Sequence, residues 1–248
     1  MDAARSRSFG EVSDHYDQYR PGPADAVLDW LLAPAARDVL DVGAGTGALT
    51  RLLVARGLRV TAVEPDPRMR RTLADRVPRA TILEGTGERL PVGGASQDAV
   101  LAHSAWHWVD PARAIPEVAR VLRPGGRLGI AWTRLDRDVD WVAELHDRLR
   151  LGLPGSGSHR RSHAFVLPGD APFGTPDGPH VVRSVRRFTR AELVGLAGTY
   201  SAVIVLDAAD REPLLERLRS DLDADPRLAG AEGIDVPMVS RCWRTTRR

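Results

Sequence analysis

Residues 39–48 read VLDVGAGTGA, an apolar stretch with one acidic residue followed by three glycines at alternate positions. The first four predict a buried β-strand, and Leu49–Arg56 has the spacing of an amphipathic helix. Glycine suits the turn between them because it adopts positive φ and leaves no Cβ between backbone and ligand. A second strand, Arg59–Val63, ends on Glu64, roughly twenty residues beyond the turn, where a carboxylate can reach ribose hydroxyls. The sequence therefore predicts a site for a nucleoside-bearing ligand.

The glycine turn by itself fits two classes of ligand. Residues 43–48 also match G-x-G-x-x-G/A, the pattern of dinucleotide-binding proteins. Asp41 argues against a dinucleotide, because its carboxylate would lie close to the ligand and repel a pyrophosphate. An ammonium or sulfonium group would be attracted instead. A nucleotide-dependent oxidoreductase remains open on the glycine pattern alone.

Three further motifs follow the glycine turn in a fixed order. The four segments read LDVGAGTG at 40–47, AVEPD at 62–66, EGTGERLP at 84–91 and VLRPGGRL at 121–128. With these motifs, the region from Val39 to Trp132 resembles the class I S-adenosylmethionine (SAM)-dependent methyltransferases, in particular the small-molecule branch with ubiquinone-biosynthesis-type sequences. The resemblance implies an α/β fold with a Rossmann-like, doubly wound seven-stranded sheet. That sheet would be mostly parallel, with a C-terminal antiparallel hairpin, and the cofactor would be SAM.

The resemblance also implies a role for each part of the cofactor site. The glycine loop would pass under the methionyl and ribose groups. Asp41 would favour the positive end of the ligand, although a structural role in ordering the loop stays open. Glu64 would bind the ribose hydroxyls and Pro65 would face the adenine ring. The expected cofactor contacts are Tyr19, Arg20, Asp41, Gly43, Ala44, Gly45, Gly47, Glu64, Pro65, Thr86, Gly87 and Ser104.

Two members of this set carry an open alternative. The segment Tyr16–Pro21 resembles the one that folds over the cofactor, so Arg20 would pair with the SAM carboxylate, unless it is simply a surface arginine. Thr86 stands where a common version of the family has an acidic residue. Its hydroxyl can still accept a hydrogen bond.

The segment after the predicted strand Gln97–Ala102 holds the candidate catalytic residue. It reads SAWHW at 104–108 and lies at the carboxyl end of the sheet, where α/β proteins bind ligands. His107 would be the general base for a hydroxyl or acidic-carbon acceptor, or else a hydrogen-bonded packing element. His103 is expected to be buried against the sheet. Trp106, Trp108 and Trp132 are candidates either for the core or for a substrate platform.

Length and composition predict a single domain over residues 1–248, which by the resemblance would be a methyltransferase domain. The chain has 248 residues, 43% of them hydrophobic and 27% charged, as in ordinary globular enzymes. Residues 151–180 are rich in glycine and proline and lack a sustained period, which is typical of a lid or insertion loop. The expected parts are an N-terminal helical cap (1–35), a SAM-binding core (36–150), the lid or insertion (151–180) and C-terminal strands and helices (181–248).

The composition argues against several functional classes. Cys242 is the only cysteine, which excludes an internal disulfide, and the chain has no lysine, which excludes a Schiff-base nucleophile. The net charge is +2 and the arginines are dispersed, so nucleic acid is not an expected partner. No apolar run approaches the ~20 residues that a membrane span needs, so a membrane is not an expected partner either. His159 and His163 lack neighbouring ligands, so no metal site is expected. The polar N-terminus suggests a cytoplasmic protein, and the sequence leaves the oligomeric state unknown.

These observations favour a SAM-dependent methyltransferase that moves the sulfonium methyl by SN2 displacement to an O, N or C atom of a small molecule. Abundant alanine, arginine, glycine and proline suggest a G+C-rich bacterial genome, and hence specialised metabolism as the setting. The alternative is a SAM-fold protein that binds the cofactor without methylating, such as a cyclase-like enzyme or a partner subunit. The irregular segment 151–180 and the absence of an obvious catalytic dyad keep this alternative open.

Overall fold

Strands and helices alternate along the chain as the sequence predicts. The computed structural model describes residues 19–153, 165, 167–228 and 231–248. The strands are β1 (Asp38–Val42), β2 (Arg59–Val63), β3 (Thr81–Leu83), β4 (Gln97–His103), β5 (Leu122–Leu135), β6 (Asp177–Phe188) and β7 (Ile234–Thr246). The helices are α1 (Asp25–Leu31), α2 (Ala48–Ala55), α3 (Pro67–Arg76), α4 (Pro111–Val121), α5 (Asp140–Leu149), α6 (Arg190–Gly198), α7 (Ser201–Ile204) and α8 (Ala208–Asp223). A single 3₁₀ turn occupies Trp106–Trp108.

The strands form one seven-stranded sheet in the order β3-β2-β1-β4-β5-β7-β6. Strands β1 to β5 are parallel, and β7 is antiparallel to both β5 and β6. The α/β class, the Rossmann-like sheet and the antiparallel C-terminal pair are thus confirmed. The chain order reverses at β1, where β2 lies on one side and β4 on the other, and ligands of such sheets bind at this switch point.

The core lies on both faces of the sheet, because helices cover each side. Val39 and Leu40 of β1 are fully buried, as expected for a parallel strand between two helical layers. On one face, Ile115 and Val118 of α4 pack in the same cluster as Leu40. On the other, α1 and α2 pack against β1, β4 and β5. None of the helices in the described residues is long and apolar enough to cross a bilayer.

Several element bounds differ from the sequence prediction. The sequence predicts strands over Arg127–Trp132 and Val181–Phe188. Strand β5 nevertheless begins at Leu122, because Leu122 pairs with Gln97 before a register shift and the proline–glycine segment is carried within the strand. Strand β6 begins at Asp177, because its early residues also pair with β7. The two antiparallel strands are joined through α6, α7 and α8, and α7 was not predicted. Its four residues are too few to show a helical period.

The described part of segment 151–180 packs on the core rather than forming an open loop. Phe173 is 1% exposed and Phe165 7% exposed, and the Phe165 ring packs edge-on against Trp106 at 6.1 Å between centroids. The hydroxyl of Thr245 donates to the Gly174 carbonyl over 2.7 Å, which ties the segment to β7. The composition of this segment does not reveal the packing, because two buried aromatic residues produce no periodic pattern of apolar positions. His159 and His163 lie outside the described residues.

The close packing between α1 and the sheet can be tested by a substitution in β5. A Cβ on Gly129 of β5 would lie 2.6 Å from Leu101 Cδ2 and 3.0 Å from Leu31 Cδ2, both in fully packed surroundings. We expect Gly129→Ala to lower the free energy of unfolding by about 1–3 kcal/mol through overpacking, as measured by urea denaturation. Gly93→Ala is the matched control, because a Cβ there meets nothing within 4 Å. Equal stability of the two variants would contradict the packing at this strand.

Candidate functional site

A cavity of about 790 Å³ opens at the carboxyl ends of the central strands. Its walls come from the ends of β1, β2, β4 and β5, from the turn at 86–88 and from the start of α4. A volume of this size is typical of a small-molecule site. The cavity lies at the switch point of the sheet, where the sequence predicts a ligand.

The glycine loop forms the floor of the cavity beside β1. Gly43, Gly45 and Gly47 all have positive φ, at 68°, 58° and 100°. A Cβ on Gly43 would lie 2.6 Å from the Ala105 Cβ, so any larger residue would clash as well as strain the backbone. The N–H groups of Gly43 and Ala44 donate to the Val63 carbonyl over 2.9 and 3.1 Å. The loop is therefore fixed against β2, with Gly43, Ala44 and Gly45 in the cavity wall and Gly47 behind it.

The Glu64 carboxylate bridges the glycine loop and the turn after β2. Its Oε2 accepts from the Gly45 N–H over 2.8 Å and its Oε1 from the Asp66 N–H over 2.9 Å. The side chain lines the cavity and is 6% exposed, and burial raises the pKa of this carboxyl above its usual value. A carboxylate has about four lone-pair sites, so it can also accept from ligand hydroxyls.

Asp41 presents a buried oxygen with no hydrogen-bond partner. The residue is fully buried, and Oδ2 accepts from the Thr50 hydroxyl over 2.6 Å, whereas Oδ1 accepts from nothing among the described residues. Burial raises the pKa of Asp41 to about 7; the Thr50 hydrogen bond opposes this, and the nearby charge of Glu64 adds to it. Because Asp41 lines the cavity, a ligand bearing a positive charge or an N–H donor would complement this oxygen.

Four other expected contacts also line the cavity, namely Pro65, Thr86, Gly87 and Ser104. Thr86 and Arg89 close a tight turn through their backbone groups, which presents the Gly87 backbone to the cavity. Ser104 has φ of 55°, and its N–H donates to the Ala131 carbonyl of β5 over 2.8 Å. The chain therefore turns sharply after β4, and the cavity opens at that turn.

The N-terminal candidates have different placements. Tyr19 is not in the cavity wall; its ring packs against Gly195 of α6, where an added Cβ would lie 2.2 Å from the ring. Arg20 lines the cavity, but its Nε and Nη2 donate to the Thr199 hydroxyl and carbonyl over 2.9 and 3.0 Å. Its guanidinium lies 5.1 Å from the centroid of the Tyr200 ring. The pairing of Arg20 with a ligand carboxylate stays a prediction.

The structure places His103 and His107 differently from the sequence prediction. His107 is absent from the cavity wall, and its Nδ1 accepts from the Trp132 Nε1 over 3.3 Å. His103 lines the cavity instead, as the last residue of β4, so it is not simply buried against the sheet. A general-base role for His107 stays a prediction and requires that hydrogen bond to break, because the accepting Nδ1 lone pair is the one a proton would take.

Of the three tryptophans, Trp106 and Trp132 belong to the core. They are 6% and 9% exposed, and Trp132 packs edge-on against Trp243 with centroids 5.5 Å apart. Trp108 is 37% exposed and lines the cavity, so it is the one tryptophan of the three placed where it can touch a ligand. Spacing in the sequence does not distinguish a core tryptophan from one in the cavity wall. The 3₁₀ turn places Trp106 in the core and Trp108 in the cavity wall, although the two are only two residues apart.

The sequence of this chain is similar to those of known methyltransferases. Residues 40–130 match the methyltransferase domain family. An uncharacterized methyltransferase of Mycobacterium tuberculosis strain H37Rv is 45% identical over 241 residues, which span 97% of this chain and 96% of that protein. The chain belongs to the class I SAM-dependent methyltransferases. Its membership in the ubiquinone-type branch stays a prediction.

Two solved structures have a similar fold. A methyltransferase described as putative type II, from Anaeromyxobacter dehalogenans, has a TM-score of 0.65 and 28% identity, covering 92% of this chain and 98% of its own. A phosphoethanolamine N-methyltransferase of Haemonchus contortus, solved with S-adenosylhomocysteine, has a TM-score of 0.51 and 14% identity. It covers 95% of this chain and 59% of its own, and its similarity extends to the fold alone.

The buried pair Asp41–Thr50 gives a pH-dependent test in this methyltransferase. Because the folded-state pKa of Asp41 is raised to about 7, its contribution to stability is present at low pH and lost as the pH rises through 7. Removing the hydroxyl with Thr50→Val deprives the ionised form of its side-chain donor. We expect a loss of about 1.5–3 kcal/mol of unfolding free energy at pH 8, and about 0.5–1.5 kcal/mol at pH 5, where the carboxyl is protonated.

Urea denaturation at the two pH values measures this difference, and Asp41→Asn provides the control background. In that background the cost of Thr50→Val should no longer depend on pH. An equal cost at both pH values in the wild-type background would show that Asp41 does not titrate in this range.

Proposed function

We propose that this methyltransferase binds SAM in the cavity at the switch point and transfers its methyl group to a small molecule. The observation that carries the proposal is the pair of buried carboxylates, Asp41 and Glu64, on neighbouring strands of one cavity. Two anionic groups held close together favour a ligand that has both a positive charge and hydroxyl donors. SAM has both, in its ammonium and sulfonium groups and in its ribose.

The ribose would lie at the end of β2. Glu64 is held by two backbone N–H groups, so its oxygens are already oriented and lose little freedom on binding. Pro65 and the turn containing Thr86 and Gly87 line the same side of the cavity and would receive the adenine ring. The glycine loop lies between this side and β4, which leaves the methionyl group over the end of β1.

The positive part of SAM would lie near Asp41. Among the described residues, its Oδ1 is the one buried side-chain nitrogen or oxygen atom without a hydrogen-bond partner. A bound cation favours the ionised carboxyl, so binding should lower the pKa of Asp41 and release a proton near neutral pH. Asp41 would thus act both as a cap for the loop and as an electrostatic contact.

Bound SAM supplies an electrophilic methyl group on a positively charged sulfur. The protein then needs to position the acceptor in line with that methyl group and keep water away. The remaining wall of the cavity, around the ends of β4 and β5, would hold the acceptor. A small molecule suits a volume of about 790 Å³ shared with the cofactor. A cytoplasmic location and a role in bacterial specialised metabolism are parts of this proposal that rest on the sequence.

Binding measurements test the cofactor assignment. We expect isothermal titration calorimetry to show micromolar or tighter binding of SAM and S-adenosylhomocysteine, with NAD(P) far weaker. Glu64→Ala should weaken SAM by roughly 1.5–3 kcal/mol, because charge-assisted bonds to the ribose are lost. Glu84→Ala is the matched control, since Glu84 is an exposed glutamate one strand away, paired with Arg70 and outside the cavity wall. Tight NAD(P) binding without SAM binding would overturn the proposal.

The second candidate is a SAM-binding protein that does not methylate, and a transfer assay separates the two. Protein incubated with methyl-labelled SAM and a broad panel of small alcohols, phenols, amines and carboxylates should yield at least one labelled product by mass spectrometry. Asp41→Ala should abolish that label in parallel with SAM binding. SAM binding with no transfer to any member of the panel would favour the non-methylating reading.

A further inference from the structure

Arg70 of α3 holds the turn after β2 from behind the cavity wall. Its Nη1 donates to the Glu64 carbonyl and to the Pro65 carbonyl, each over 2.8 Å. Its Nη2 donates to the Glu84 carboxylate over 2.7 Å. The Arg70 side chain is 19% exposed and is not part of the cavity wall, whereas Glu64 and Pro65 line the cavity. One guanidinium therefore fixes two consecutive carbonyl groups of the turn from a position outside the cavity.

The second of these carbonyls belongs to the peptide that holds the Glu64 carboxylate. The Pro65 carbonyl and the Asp66 N–H are parts of one planar peptide, and they point in opposite directions because the peptide is trans. The carbonyl accepts from Arg70, and the N–H donates to Glu64 Oε1 over 2.9 Å. A rotation of this peptide that broke the Arg70 contact would also turn the N–H away from Glu64. Arg70 therefore fixes the orientation of a donor that in turn orients Glu64.

The charge of Arg70 also favours the ionised form of Glu64. Burial raises the pKa of the Glu64 carboxyl, and the hydrogen bonds from the N–H groups of Asp66 and Gly45 oppose this shift. The negative charge of Asp66 adds to the rise, whereas the positive charge of Arg70 lowers the pKa. A carboxylate accepts hydrogen bonds at both oxygens, whereas a protonated carboxyl loses an acceptor site and gains a donor. Arg70 thus favours the form of Glu64 that can accept from two adjacent hydroxyls.

The contacts of Arg70 with the turn matter more than its ion pair with Glu84. The Glu84 side chain is 75% exposed, and an ion pair with so exposed a carboxylate contributes little. The carbonyl contacts use both N–H groups of Nη1, so a side chain without a donor would remove both of them. These two contacts are the part of the arrangement that can act on the site.

We propose that Arg70 is a positioning residue for the recognition of the ribose and that it acts through Glu64. The inference rests on the proposed function, in which Glu64 binds the ribose hydroxyls. Arg70 does not touch the ligand. It holds the peptide that carries the Asp66 N–H; this N–H holds one oxygen of Glu64, and the Gly45 N–H holds the other. The hydroxyls then meet a carboxylate that is already oriented, so little conformational freedom is lost on binding.

The ratio of two dissociation constants measures this effect. S-adenosylhomocysteine and its 2′,3′-dideoxy analogue differ only in the ribose hydroxyls. Calorimetry on the wild-type protein should show weaker binding of the analogue by roughly 10- to 150-fold, as expected for hydrogen bonds to a charged group. Arg70→Met keeps a long, unbranched side chain without a donor or a charge. We expect it to reduce this ratio by about fivefold or more.

Two further variants separate positioning from a general effect on the fold. Arg70→Lys keeps the charge and N–H donors for the carbonyls, so we expect its ratio to lie within about threefold of wild type. Glu84→Ala removes only the exposed ion pair and should leave the ratio within about twofold of wild type. If Arg70→Met does not fold, Arg70→Gln takes its place, because it is uncharged and its terminal nitrogen lies two bonds closer to the backbone.

A double-mutant cycle tests whether Arg70 acts through Glu64. In the Glu64→Ala background the ribose hydroxyls have lost their acceptor, so Arg70→Met should change the ratio by less than about twofold. A change as large as in the wild-type background would overturn the inference, because Arg70 would then act by another route.

The same measurements distinguish failure of this inference from failure of the proposed function. If the wild type binds S-adenosylhomocysteine and discriminates against the analogue, but Arg70→Met keeps the full ratio, the inference is overturned and the proposed function stands. Equal affinity of the wild type for both ligands would overturn the inference together with the assignment of the ribose to Glu64. Failure of the wild type to bind S-adenosylhomocysteine would overturn the proposed function, and the inference with it.

Discussion

The carboxylate of Glu64 holds together the two turns on which the site depends. It accepts the Gly45 N–H of the glycine loop and the Asp66 N–H at the start of α3, so it fixes both turns relative to β2. Asp66 in turn caps α3 by accepting from Arg68 and Met69. The bridge helps to hold the loop in shape, together with the hydrogen bonds from Gly43 and Ala44 to the Val63 carbonyl, because backbone N–H groups removed from water need acceptors. One side chain therefore links the packing of the sheet to the shape of the cavity.

The same bridge places two carboxylates close together away from water. Glu64 and Asp41 each have a raised pKa, chiefly because burial disfavours the charged form, and their mutual repulsion adds to the shift at Asp41. In a domain stabilised only by packing, such a pair would be costly. Under the proposed function, the positive charge of SAM offsets this cost, whereas a pyrophosphate would add to it.

The ends of β4 and β5 give the other side of the cavity a polar lining. His103 and Thr133 lie in the cavity wall and are hydrogen-bonded to each other, and Thr133 is also hydrogen-bonded to the buried Ser240 of β7. These contacts join three neighbouring strands next to the cavity.

The sequence by itself determined the α/β class and most of the cavity wall beside β1 and β2. Those features depend on local signals: apolar strands, a glycine turn and a carboxylate at a strand end. The tertiary structure alone decided that His103 rather than His107 lines the cavity and that Phe173 is part of the core. It also brought Ser240 to Thr133 across 107 positions, through the register of β5 and β7. No local pattern encodes that contact, because it depends on where the final strand pairs.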